Sequence, residues 1–143
     1  MKKILFSILF ISTLSCYAQQ EMASDFFACG MRRVFNDSTH KVGFENKKGE
    51  MVLPAQYCQA ERFVKKRCAV NMNATWTDYS ATDAALESRW TGGKWGIINK
   101  SGEFIKPCVY DRSWNAEKAC FQYVAPTDSF YFTDKGKIVP IKK

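Results

Sequence analysis

Apolar and polar residues alternate along 41–46, with Val42 and Phe44 on one side and Lys41, Gly43 and Glu45 on the other. A period of two is the signature of a half-buried strand. Lys47-Lys48-Gly49 follows as a hairpin turn in which Gly49 is free to take positive φ. Met51-Val52-Leu53 returns as a strand. Pro54 ends it, because proline has no N–H to give to a ladder. The same order recurs as the strand Lys94-Trp95-Gly96-Ile97-Ile98-Asn99, the turn Lys100-Ser101-Gly102 and the strand Phe104-Ile105-Lys106, closed by Pro107. A shortened copy runs from Phe130-Tyr131-Phe132 through Asp134-Lys135-Gly136 to Ile138-Val139-Pro140.

Further strands are expected over 31–35, 68–76 and 120–124. Asn36-Asp37-Ser38-Thr39 and Pro126-Thr127-Asp128-Ser129 are rich in residues that set or cap a turn. These segments group into three units, at about 31–57, 69–110 and 121–141. The expected fold is all-β: about nine short antiparallel strands in three meander repeat units, stacked as a small β-repeat array. Each unit then covers its neighbour's apolar face. The pattern is compatible with an open curved sheet and with one that curls toward a barrel. Residues 19–30 form an N-terminal lead, of which 19–25 reads as loose and polar. Residues 77–88 interrupt the second unit and offer one helical turn at 82–87, with Thr82 as its cap, before Gly92-Gly93 turns the chain back.

Lys94-Trp95-Gly96-Ile97-Ile98-Asn99-Lys100, Gly102, Phe104-Ile105, Pro107 and Tyr110-Asp111 together resemble the WG β-repeat family. In the other two units Val42-Gly43 and Tyr131-Phe132 take the Trp-Gly place, and Cys58 follows Tyr57 where the family has Asp. The resemblance assigns residues 31–143 to a WG-like β-repeat domain. Its repeat core would be Val42, Gly43, Tyr57, Trp95, Gly96, Gly102, Pro107 and Tyr110. It implies a repeat protein often exported in bacteria, with binding roles and no catalytic residues to carry over.

The chain has 143 residues, enough for one domain with its own core, and 46% hydrophobic content is a globular value. Lys2-Lys3 precedes a short apolar run and small residues up to Ala18, so residues 1–18 read as a secretory signal peptide. The run is too short to span a bilayer, and no transmembrane segment is expected after its removal. Thr13-Leu14-Ser15-Cys16 also resembles a bacterial lipoprotein box, which would anchor the protein through Cys16. The expected location is secreted or periplasmic, with the lipid anchor as the alternative. The formal charge of +7 includes the two lysines of that segment. The remaining excess is scattered, and Lys65-Lys66-Arg67 and Lys142-Lys143 read as solvated edges, so no nucleic-acid partner is expected.

Export places Cys29, Cys58, Cys68, Cys108 and Cys120 in an oxidising compartment. Cys58/Cys68 and Cys108/Cys120 sit at similar repeat positions, so a disulfide in each crossover is conceivable, and the odd number leaves one thiol over. There is no C-x-x-C pair and His40 is the only histidine, so no metal or cofactor is expected. No phosphate loop or Ser-His-Asp set is present. Trp95-Gly96 reads as packing, because glycine beside a large ring permits close strand approach. Trp76, Trp90 and Trp114 are better placed for ligands. Trp76, Tyr79 and Trp90 gather at the 77–91 insert, and insertions in repeat arrays map to one face, often the binding face. The expected function is an exported non-catalytic module, binding or structural, that recognises a protein or polysaccharide of the cell envelope. The alternative is a thiol-dependent or hydrolytic enzyme, resting only on the cysteines and His40.

Overall fold

The computed structural model describes residues 25–77 and 90–142. The expected signal peptide, Cys16, residues 19–24, Tyr79 and the helical turn at 82–87 lie outside the described residues. Ten strands follow one another: β1 Met31–Phe35, β2 Val42–Asn46, β3 Met51–Tyr57, β4 Gln59–Ala60, β5 Arg67–Trp76, β6 Trp90–Asn99, β7 Phe104–Asn115, β8 Cys120–Val124, β9 Ser129–Phe132 and β10 Ile138–Pro140. Every pair is antiparallel. No helix occurs among the described residues. The strands form a sheet ordered β1-β2-β3 and a larger one ordered β10-β9-β8-β7-β6-β5-β4. The expected all-β meander array is thus the fold found. The extra strand, β4, is the broken-off end of β3.

One turn, made three times, fixes how the units align. Asn46 N bonds Glu50 O and Gly49 N bonds Asn46 O; Asn99 with Glu103 and Gly102, and Thr133 with Lys137 and Gly136, repeat the pattern. Asn46 Oδ1 accepts from Lys48 N and Glu50 N, Asn99 Oδ1 from Ser101 N and Glu103 N, and Thr133 Oγ1 from Lys137 N. Short polar side chains stabilise turns in this way by bonding backbone a few residues on. Counted from this turn, Gly43, Gly96 and Phe130 are equivalent. The third unit therefore carries Ser129-Phe130, and not Tyr131-Phe132, in the Trp-Gly place.

Pro54 and Pro107 do not end their strands. They lie inside β3 and β7, where each strand bulges outward. Phe44 pairs Leu53 but Val42 pairs Tyr57, and Ile97 pairs Lys106 but Trp95 pairs Tyr110. One glycine, Gly43 or Gly96, therefore faces three residues of the neighbouring strand. A Cβ on Gly43 would lie 2.6 Å from Leu53 O and 2.8 Å from Ala55 N; on Gly96 it would lie 2.5 Å from Lys106 O and 2.9 Å from Cys108 N. A bulge suits proline, since a residue left out of the ladder needs no N–H.

Past the bulge the third strand leaves its own unit. β4 pairs β5 through Gln59↔Asn71 and Ala60↔Val70, and the far half of β7 pairs β8 from Asp111↔Val124 to Asn115↔Cys120. Each of these third strands is therefore shared by two units. Between consecutive units lies a core. Met31, Phe44, Leu53 and Tyr57 meet Cys68, Val70 and Ile98 of the next unit. Ala69, Trp95, Ile97 and Tyr110 meet Tyr123, Phe130 and Phe132 of the third. β5 and β6 send alternate residues to the two cores, which explains why their middles are buried on both faces.

Asp25 belongs to the folded body and not to a loose lead. Its carboxylate accepts from Arg33 Nε at 2.8 Å, from Arg33 N at 3.3 Å and from Arg62 Nε at 2.8 Å. Burial raises its pKa, but the Arg33 and Arg62 hydrogen bonds outweigh it and hold the group at about 2. Ala28 exchanges backbone hydrogen bonds with Met31, so residues 25–28 cover the outer edge of β1.

Candidate functional site

The β5–β6 hairpin is longer than its counterparts. Its strands have ten residues each, against five in β1 and β2, and pairing continues out to Trp76↔Trp90. Gly92 and Gly93, expected as a turn, lie inside β6 with φ of 73° and 75°, across from Asn73 at φ 60°. At the hairpin end the Trp76 and Trp90 rings meet edge to face, with centroids 5.2 Å apart. His40 stacks flat on Trp76, with centroids 4.0 Å apart and planes 7° from parallel. Trp90 Nε1 donates to His40 O at 3.1 Å. The first unit's turn sets His40 in place: Asn36 Oδ1 accepts from Ser38 N and Thr39 N, and His40 N bonds Asn36 O at 2.7 Å. A turn in one unit thus braces the tryptophan pair of the next.

The Trp76 and Trp90 rings border a cleft of about 440 Å³ where the first unit hands over to the second. Phe35, Val42 and Trp95 contribute apolar lining, and Arg112 lies beside Trp95. The Arg112 guanidinium lies 3.4 Å above the Trp95 ring and 4.1 Å from that of Phe121. Its Nη1 donates to Glu61 Oε1 at 2.7 Å. Arg33, the other cation on the lining, is tied to Asp25 and donates to Ala60 O at 2.9 Å. Gln59 of β4 and Glu61 just after it add polar groups to the lining. Asn71 Nδ2 reaches Gln59 Oε1 at 3.4 Å and Gly92 O at 3.2 Å, pinning Gln59 to the hairpin.

The decisive observation comes from comparison: the family model described as "WG containing repeat" matches residues 43–76 and 95–118. Those two stretches are similar to WG repeats. No curated protein and no solved structure matches it. The first WG repeat opens at Gly43 and ends at Trp76, so it covers β3, the hand-over through β4 and the first strand of the following unit. The second opens at Trp95 and covers the β7 hand-over. The sequence repeat is therefore offset from the structural meander.

The structure brings Trp76 and Trp90 together and sets Trp95 on the same cleft. Tyr79 is outside the described residues. Trp95 is only 8% exposed and belongs to the second core. Tyr57 and Tyr110 are buried one per core, and Tyr110 OH donates to Asp128 at 2.7 Å. Gly102 presses its turn against Leu53 of the preceding unit. Trp114 is 58% exposed and lines a separate cleft of about 300 Å³ with Phe121 and Tyr123. Phe35, Gln59, Glu61, Arg33 and Arg112 were not foreseen as site residues, and His40 was considered only for the enzyme alternative. Nothing local marks them; they reach the WG-repeat cleft through pairings between units.

All the described cysteines are free thiols. The conceivable crossover disulfides are not formed: Cys68 Sγ points at Glu61 O at 3.2 Å, and Cys108 Sγ at Val70 O at 3.7 Å. Burial pushes the Cys68 thiol far up and that of Cys108 to about 11. Among the described residues no group of three or more His, Cys, Asp and Glu could hold a metal ion, and no helix is long and apolar enough to cross a membrane.

Proposed function

We propose that this WG-repeat chain is an exported, non-catalytic binding module of the cell envelope, and that its ligand seat is the aromatic cleft beside the 77–91 insert. Its ligand is a protein or a polysaccharide. The observation that carries the reading is the Trp76–Trp90 pair, braced by His40 at the mouth of a cleft of about 440 Å³. That volume falls in the range of about 300–1,000 Å³ usual for ligand sites. Rings fixed before binding lose little entropy when they bind. The raised thiols of Cys68 and Cys108 support a non-catalytic role, because the thiolate is the nucleophile and burial withholds it. Export rests on the basic and apolar order of residues 1–18.

The deciding experiment is capture from an envelope extract with the parent and with a Trp76→Ala/Trp90→Ala variant, after circular dichroism has established that both are folded. The parent should retain a component that the variant loses. Equal capture by both would remove the cleft from consideration. N-terminal analysis of the exported protein tests the location: cleavage after Ala18 is expected, and an acylated Cys16 as first residue would replace secretion by anchoring.

A further inference from the structure

We infer that this protein docks on a bilayer surface bearing anionic lipid headgroups, through two lysine-bearing turns and the aromatic segment beside them; this surface is separate from the aromatic cleft. The run Lys65-Lys66-Arg67 reads in the sequence as a solvated edge, but in the fold it meets the basic turn of the third unit. A Cβ on Gly136 would lie 2.7 Å from Val64 O and 3.4 Å from Lys65 Cβ, so the two turns touch backbone to backbone. Arg67 Nη1 donates to Gly136 O at 3.4 Å. Each turn is closed by its own bonds, Val64 N to Arg67 O at 2.8 Å and Gly136 N to Thr133 O at 3.0 Å. Residues 62–67 and 133–137 thus gather six cations against one acid, Asp134. Lys65, Lys66, Lys135 and Lys137 are exposed, and none of them forms an ion pair. Like charges held together repel one another, a cost that an outside anion removes. Lys65 adds backbone strain: its φ is 58°, at the first central place of a two-residue turn, where glycine is favoured. Such strained places cluster where a chain grips a ligand.

The charges stand on turn tips and not in a groove. None of these four lysines lines the clefts of about 440, 300 or 210 Å³. A polyanionic chain is held along a charged groove, whereas a lipid surface needs only projecting cations and an apolar group to enter it. The apolar group is at hand. Phe26 and Phe27 are 61% and 36% exposed. The Arg62 guanidinium lies 3.8 Å from the centre of the Phe26 ring, and Cys29 Sγ points at Phe63 O at 3.6 Å, so residues 26–29 run beside 62–63 and lead directly to the Lys65 turn. Lys100 joins the same neighbourhood: its Nζ donates to Cys29 O, a neutral group that leaves the charge unspent. The type of cation also fits. A guanidinium fork reads a single phosphate or carboxylate, and the arginines here are already held, Arg62 by Asp25 and Arg67 by Gly136 O. The lysines left free are compact, hydrated point charges, which suit the diffuse negative potential of a headgroup layer.

The test is sedimentation with vesicles of phosphatidylcholine alone or with added phosphatidylglycerol, read as the ratio of binding to the two. An acyl chain at Cys16 would raise both alike and leave the ratio as it is. The parent should prefer the anionic vesicles, and raised salt should abolish the preference. Lys65→Asn/Lys66→Gln and Lys135→Gln/Lys137→Gln should each lower the ratio about tenfold or more, since one lysine near an anionic surface contributes roughly fivefold. Asparagine is used at position 65 because it tolerates the left-handed backbone there. Phe26→Ser should weaken binding to the anionic vesicles several-fold, and Phe26→Leu should keep it. Lys47→Gln/Lys48→Gln takes the same charge from a turn outside these contacts and should change the ratio little. An equal loss in that variant would make the effect one of net charge and overturn the inference, as would a parent that binds both vesicles alike or neither. Tighter binding to polygalacturonate or to single-stranded DNA than to the vesicles, lost with the same lysines, would give the surface to a polymer chain and also overturn it.

Discussion

The first two units and the third share their turn and differ at one position. Gly43 and Gly96 each lie under a bulged strand, and the strand goes on to pair with the next unit. Phe130 holds the same place in the third unit. There the pairing runs without a shift, Ile138↔Phe132, Val139↔Tyr131, Pro140↔Phe130, and β10 pairs only β9. A side chain at that place and a bulge over it exclude each other. The glycine of the repeat thus does more than relieve crowding: it makes room for the arch that re-aims the third strand into the following unit.

The residue before the glycine, or before Phe130 in its place, is Val42, Trp95 or Ser129 in the three units. Only Trp95 fills the space between two units under a stacked guanidinium. Trp95→Ala should cost about 3–5 kcal/mol, as for other buried aromatics, a large share of the roughly 5–15 kcal/mol that holds a domain together. Urea unfolding measures it. A variant that unfolds with the parent but no longer binds ligand would make Trp95 a platform and not a core residue.

The glycines come next. Gly43→Ala and Gly96→Ala force a methyl to within 2.6 and 2.5 Å of a backbone oxygen, so each should lose close to the upper end of the roughly 1–3 kcal/mol typical of overpacked sites. Gly49 sharpens the point. It has φ of 76° but open space around its Cβ direction, so Gly49→Ala should cost only the left-handed penalty of about 1 kcal/mol. Equal losses at all three positions would mean that backbone conformation, and not the arch overhead, selects glycine in the repeat.

The smallest effect lies at the outer edge of the first unit. Asp25 is held at about 2 against an ordinary 3.8, so its ion pairs contribute fully above 3.8 and are lost as pH falls through about 2. Asp25→Asn should lower stability at neutral pH by on the order of 1 kcal/mol and flatten the acid limb of the stability curve. An acid limb that the substitution leaves untouched would free the edge of β1 from this carboxylate.

The strands and turns were legible because alternation and turn chemistry are local. Residues 41–53 and 94–106 announce their pairing by themselves. The bulges were not legible, since a proline without N–H reads equally as a strand end and as a residue lifted out of the ladder. Gly92-Gly93 misled for a related reason: positive φ serves a turn, but here it kinks β6 opposite Asn73. Half of the cleft could be foreseen, because Trp76 and Trp90 flank a conspicuous insert. His40, Arg112 and Arg33 could not, because their positions depend on which unit packs on which.

The offset between the WG repeat and the meander bears on how such a chain can grow. A copied meander would bring its own first and last strands and break a hand-over on each side. A copied stretch from Gly43 to the residue before Gly96 contains one arch, one shared strand and one new first strand, and it joins its own duplicate in phase. Tandem duplication of that stretch would add length from within and leave the Asp25 ion pairs and the unbulged Phe130 pairing as they are.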